Sequence, residues 1–400
     1  MSSILLLRNL LKLGRLAMKI IIAPDSFKGS MTSLVASLAI KRGILDVDPL
    51  AETILLPMAD GGEGTVEAIL SVSGGKRISC QVQDPLGRKI EAAYGWIVDE
   101  KAAVIETAAA SGLPLLLPEE LDPDKASSFG TGQLIKDALD RGAEKIILGL
   151  GGSATVDAGT GLFQALGVKF FDENNRELET VGGRLDLIAS MDATGLEPSL
   201  AAVQIIVASD VINPLLGKDG AIAVFGPQKG VKQQHMSRYE KGMQQFSALA
   251  ANTMGHDKSA EPGSGAAGGI GFLLKTLLDV EFMSGLELIV ERTQLEKQLD
   301  GADLVLTGEG RIDGQSVFGK VPIGIGRLAR SHNIPVIAFA GSIGSGIENL
   351  EKEGILEIMP IISGPMELQE ALLDGESLLY EAAKRLMNIL KLGKVIAVDK

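Results

Sequence analysis

Four hundred residues, 46% of them hydrophobic, are enough to bury a substantial core and call for two or three domains. A formal net charge of -13 argues against nucleic acid or an anionic membrane as a partner, because binding to either draws on a positive surface field. Cys80 is the single cysteine and only three histidines are present, which excludes an internal disulfide and a histidine- or cysteine-rich metal centre and fits a reducing, cytoplasmic compartment.

Residues 1–17, MSSILLLRNLLKLGRLA, form a basic amphipathic stretch, expected to be an extension ahead of a start at Met18. No apolar run in the chain approaches the roughly 18 residues of a membrane span. From Met18 the pattern is strand, loop, helix: KIIIAP, then DSFKGSMT, then SLVASLAIKRGIL with Gly43 near its end. TILLPM, ADGGEGT and VEAILSVSGG repeat the unit, the grammar of a parallel sheet. From residue 76 alternating strands follow, RISCQVQD, KIEAAYGWIV and AAVIETA, separated by DPLG and DE turns. Mixed helices and strands run on through KIILGLGG, VKFFD, VQIIVASD and a long polar helix around HMSRYEKGMQQFSALAAN. After residue 290 the βα pattern returns with ADLVLTGEG, IPVIAFAG and LEIMPII, and a C-terminal helix closes the chain. This organisation predicts a discontinuous domain of residues 18–75 and 290–400, with five strands in one open sheet, and an inserted α/β domain of residues 76–289.

In open α/β sheets ligands bind beyond the carboxyl ends of the strands, and four loops stand there. Asp25-Ser26-Phe27-Lys28-Gly29-Ser30 follows a strand and precedes a helix, a setting for an anion or simply a helix cap. Asp60-Gly61-Gly62-Glu63-Gly64-Thr65 brings two carboxylates to a glycine turn, suited to Mg²⁺, to a base or to substrate hydroxyls. Gly149, Gly151 and Ala154 match a dinucleotide fingerprint with Asp172 as ribose acid, but Gly159 and Gly161 fall where its helix should run, so a longer phosphate-cradling loop fits better. Thr307–Lys320, TGEGRIDGQSVFGK, nearly forms a Walker A loop; Val321 stands where Ser or Thr must ligate Mg²⁺, which rules that motif out. Arg311 suits a carboxylate and Lys320 a phosphate, while Asp210 and Asn213 in VASDVINPL are further polar candidates. His235, His256 and His332 read as solvated.

Taken in order, APDSFKGS, ADGGEGT, DPLG, ETAAASGL, GLGGSATVDAGTG, SDVINPLLGKDGA, VFGPQKG, PGSGAAGGIG and TGEGRIDGQSVFGK resemble the glycerate kinase family of the bacterial glycerate and glucarate pathways. The resemblance runs from Met18 nearly to the C-terminus, with one departure, Val156 where Asn is expected. It implies a flavodoxin-like open parallel sheet with a second, restriction-endonuclease-like α/β domain inserted; apart from the resemblance, a monomer or homodimer is expected. It also implies a kinase that uses ATP and Mg²⁺ to phosphorylate D-glycerate to 2- or 3-phosphoglycerate.

On that basis Arg311 or Lys28 is expected to neutralise the substrate carboxylate, and Asp60 or Asp210 to orient or deprotonate its hydroxyl. Ser26, Gly61, Gly62, Glu63, Asn213 and Asp313 complete the expected substrate site. Asp157 and Glu309 are expected on the magnesium side, with Gly151, Gly152, Ser153, Thr155 and Lys320 at the nucleotide. The rivals are an NAD(P)-dependent oxidoreductase using the Gly149 loop and a non-enzymatic small-anion binding protein.

Overall fold

The computed structural model describes residues 17–314, 320–347 and 350–398. The expected extension therefore lies, but for its last residue, outside the described residues. Thirteen strands follow in chain order: β1 (Lys19–Ile22), β2 (Glu52–Leu55), β3 (Lys76–Gln83), β4 (Lys89–Ile97), β5 (Ala102–Glu106), β6 (Lys145–Gly149), β7 (Lys169–Phe171), β8 (Ser190–Asp192), β9 (Gln204–Ala208), β10 (Val280–Met283), β11 (Leu304–Ile312), β12 (Val336–Ile343) and β13 (Ile355–Pro360). The protein is a mixed α/β structure built on parallel strands. Its contacts divide it into two units, one of the described residues up to Asp60, Glu67–Ser73 and Leu286 onward, the other of Gly61–Val66 and Gly74–Gly285.

The first unit holds a five-stranded, all-parallel sheet in the order β13-β12-β11-β1-β2. Counted in chain order within the sheet this is 2-1-3-4-5, a doubly wound arrangement whose order reverses beside β1. Ile20, Ile21 and Ile22 are all buried, which is why β1 reads as an unbroken apolar run rather than an alternating one. Helix Ser33–Val47 covers one face and is capped by Thr32, whose side chain accepts from the Val35 N–H. It packs on the helix Gly375–Val398 through Gly43, where a Cβ would lie 2.5 Å from the Tyr380 carbonyl oxygen. Gly43 thus sits inside the helix, its glycine required by close packing and not by a helix end.

The second unit carries a six-stranded mixed sheet in the order β10-β9-β6-β5-β4-β3. The four strands β5, β6, β9 and β10 are parallel, while β3, β4 and β5 pair antiparallel. The DPLG turn joins β3 to β4 with Gly87 at φ 82°, and Asp84 accepts from the N–H groups of Leu86 and Arg88. β7 and β8 form a separate two-stranded ribbon. The loop Gly61–Val66 belongs to this unit, with Gly61 against Ala208 and Gly62 against Gly151; the chain then returns to the first unit for Glu67–Ser73 and crosses again at Gly74.

Candidate active site

Three strand ends converge in the first unit. Beyond β2 the chain keeps to β1, with the Leu56 N–H donating to the Ile22 carbonyl and the Met58 N–H to Pro24, which carries Asp60 alongside Asp25. On the other side the Ala23 N–H donates to the Leu306 carbonyl and the Asp25 N–H to Gly308. Asp25 is therefore held at the reversal in strand order, where open α/β sheets bind ligands. A tight turn follows, closed by mutual Phe27–Met31 backbone bonds with Gly29 at φ 79°, and it sets Lys28 at its exposed tip. The helix begins only at Ser33 and is capped by Thr32 rather than by Asp25 or Ser26, so what the loop presents is a lysine.

These elements enclose a cavity of about 350 Å³, lined on its polar side by Asp25, Ser26, Lys28, Asp60, Glu309, Arg311 and Lys320. Asp25 is 5% exposed and Glu309 7%. Burial, with the negative charges of Asp60 and Glu309, pushes the Asp25 carboxyl from 3.8 up to about 7, against the pull of the Ser26 N–H and Lys28. The Lys28 ammonium pairs with Asp60 at 3.5 Å, and that carboxylate, foremost, holds it above its ordinary value. Lys320 stands 3.5 Å from Glu309 and donates to the Arg311 carbonyl at 3.1 Å, while Arg311 pairs with Asp313 at 2.8 Å. Asp25 is the group that sequence reasoning passed over in favour of its neighbours; its signal was its place as the first acid after a fully buried strand.

The other expected residues lie in the second unit. Gly61 and Gly62 are buried, and Glu63 is exposed. Asp210 is exposed and accepts the Gly285 N–H at 3.2 Å; Asn213 donates to the Asp219 carbonyl at 2.8 Å, as a turn former does. In the loop after β6, the Gly151 N–H is donated to the Gly61 carbonyl, and Gly152, at φ 74°, is exposed. Ser153 and Thr155 are buried over Lys229, whose ammonium donates to Ser153 Oγ at 2.6 Å and to the Thr155 carbonyl at 2.9 Å. Lys229 is 3% exposed, and burial pulls it from 10.5 down to about 7, opposed by the charge of Asp157. Nothing in the sequence singled it out.

Asp157 is wholly buried and accepts from Ser128 N–H and Oγ, Gly159 N–H and Gly161 N–H, so its oxygens organise the loop. Val156 packs in the core, where an apolar side chain fits. The dinucleotide geometry is not formed: the chain stays irregular from Leu150 to Gly159, the helix that follows is only Thr160–Ala165, and Asp172 caps the turn Asp172–Arg176. Residues 315–319 of the near-Walker segment lie outside the described residues. His235, His256 and His332 are exposed, and Cys80 is a free thiol. Among the described residues no three carboxylate, histidine or cysteine side chains converge closely enough to hold a metal ion by themselves, and no helix is long and apolar enough to cross a membrane.

Residues 20–391 match the model of the glycerate kinase family. The chain belongs to that family. It is 45% identical over 367 residues to a glycerate kinase of Halalkalibacterium halodurans, covering 92% of this chain and 97% of that one. To the glycerate 2-kinase of Escherichia coli it is 40% identical over 376 residues, covering 94% and 99%. A crystal structure assigned as glycerate kinase 2 of Salmonella typhimurium superposes with a TM-score of 0.81 at 42% identity, covering 94% of this chain and 99% of that one.

Proposed function

We propose that this protein transfers the γ-phosphoryl group of ATP to a hydroxyl of D-glycerate, with the cavity of the first unit as the reaction site. Family membership supports the kinase and its substrate. The observation that carries the placement is Asp25, a buried carboxyl raised to about 7 in a cavity it shares with three cationic side chains.

A general base works best with a pKa near the working pH, which Asp25 has and an ordinary aspartate lacks. In this reading Asp25 takes the hydroxyl proton as the substrate oxygen bonds to the γ-phosphorus and the bond to the ADP oxygen breaks. Lys28 and Arg311 hold the glycerate carboxylate, Arg311 through its planar fork. Asp60 positions Lys28 and keeps the Asp25 proton affinity high. Lys320 faces the nucleotide phosphates. Ser26, with its N–H turned to Asp25, fixes that carboxylate.

Magnesium fits this donor set. Mg²⁺ is usually held by one or two carboxylates with waters and substrate phosphates rather than by a protein cage, and Glu309 beside Asp25 and Asp60 supplies such oxygens. When bound it neutralises charge on the phosphate oxygens. Asp157 takes no part in this proposal because its oxygens are filled, and Ser153 and Thr155 take none because they are buried on Lys229. Asp210 and Asn213 are given no chemical role, each being engaged with backbone of its own unit.

We further infer a flavodoxin-like first domain, supported by its 2-1-3-4-5 strand order, with the second, restriction-endonuclease-like domain inserted between its chain segments. The Escherichia coli relative's description as a glycerate 2-kinase supports 2-phosphoglycerate as product. A coupled ADP-release assay with D-glycerate, ATP and Mg²⁺, with the product identified by NMR, tests both readings. Glycerate-dependent ADP release and 2-phosphoglycerate are expected; no release from folded protein overturns the function, and 3-phosphoglycerate overturns the regiochemistry.

A further inference from the structure

The cavity has a second wall that glycerate does not explain. Its lining also includes Ile361, Ile362, Leu368, Ala371 and Leu372, contributed by the segment after β13 and the helix Leu368–Leu373. A three-carbon hydroxy acid has a polar group on every carbon and nothing to gain from aliphatic side chains. Leu368 is 72% exposed, an apolar side chain left facing water at a charged site. About 350 Å³ is also within the range, roughly 300–1,000 Å³, of pockets that take drug-sized ligands.

The cavity lining points the same way. Gly310 and Gly341 leave bare backbone where β11 and β12 run side by side. A Cβ on Gly341 would strike the Gly310 carbonyl oxygen at 2.6 Å, so this glycine is required by the protein itself. Gly310 differs, because a Cβ there would come no closer than 3.5 Å to any protein atom. The fold does not demand a glycine at 310, and the space beside it is space a ligand can use.

We propose that the wall of Ile361, Ile362, Leu368, Ala371 and Leu372 is the subsite for the purine base of the nucleotide, with the phosphates directed toward Lys320. The inference rests on the kinase reading and assigns the nucleotide to the first unit rather than to the glycine loop after β6. An aromatic base gains from desolvated aliphatic contact on one side while its phosphates meet cations on the other.

The test is isothermal titration of the whole protein with ATP and with inorganic tripolyphosphate, each with Mg²⁺. Wild type binds ATP more tightly than tripolyphosphate. Leu368→Ser, a change at an exposed position, weakens ATP about fivefold and leaves tripolyphosphate within about twofold. Ala371→Trp, which fills the wall, removes ATP binding and keeps tripolyphosphate. Equal wild-type affinity for the two probes, or variants that lose both together or neither, overturns the assignment. Base-dependent binding without glycerate-dependent ADP release would instead remove the kinase reading and leave the subsite standing.

Discussion

Replacing Asp25 with Asn should make the protein more stable and nearly inactive, and the two effects have one cause. The carboxyl titrates at about 7 in the folded chain against an ordinary 3.8, so between those values the folded state holds a proton that the unfolded state has lost. Stability from this group is fully present below about pH 3.8 and is lost as pH rises through about 7. At 1.36 kcal/mol per pH unit, the interval amounts to on the order of 4 kcal/mol of destabilisation at pH 8. Asparagine keeps the size of the side chain and an oxygen for the Ser26 N–H, and carries no charge to bury. Denaturant midpoints for wild type and Asp25→Asn should therefore lie close together near pH 4 and separate by pH 8, with the variant higher. In the same variant kcat should fall about 10²- to 10⁴-fold, the usual contribution of a general base. Wild-type kcat/KM should rise through pH 7, and Asp60→Asn should shift that rise to lower pH by removing the negative charge that acts most strongly on Asp25. A stability difference that does not change with pH, or a variant that keeps its kcat, would refute the argument.

Three further outcomes follow from the packing. Gly310→Ala should leave the melting temperature unchanged, since its Cβ meets only ordinary contacts, while KM for ATP or glycerate rises; an unchanged KM for both would mean that no ligand uses that space. Gly43→Ala should lose about 1–3 kcal/mol in thermal unfolding despite alanine's better helix propensity, because the added methyl meets the Tyr380 carbonyl at 2.5 Å. Lys229→Met should flatten the alkaline rise in stability: the wild-type lysine, at about 7 folded and 10.5 unfolded, destabilises below about pH 7, and that penalty is relieved as pH rises toward 10.5. Parallel denaturation midpoints for wild type and Lys229→Met between pH 7 and 10 would exclude this.

What could be read from the sequence depended on whether the cause was local. β1, β6, β9 and β11 are buried on both faces, so each appears as a continuous apolar run followed at once by a polar loop. The candidate groups Lys28, Asp60, Glu309, Arg311 and Lys320 were legible for the same reason, since each lies in or beside such a loop. The chemistry of Asp25 was not. An aspartate after a strand reads equally well as a helix cap, and this one differs because β1 brings it between Asp60 and Glu309, from chain segments that the sequence does not show to be neighbours.

Asp157 is the converse case. A carboxylate in a glycine-rich loop has the composition of a ligand site, but whether it is free depends on Ser128, a residue 29 positions earlier on another helix entry, which fills it. Lys229 was invisible because lysine between glutamine and glycine reads as surface, and its burial depends on Ser153 and Thr155 more than 70 residues away. The apolar wall around Leu368 escaped notice for a related reason: aliphatic residues at helical spacing read as core, and only their sharing a cavity with charged side chains marks them as a binding surface. In each case the residue type was visible and its function was set by which distant segment lay beside it, and that is decided by strand order rather than by local sequence.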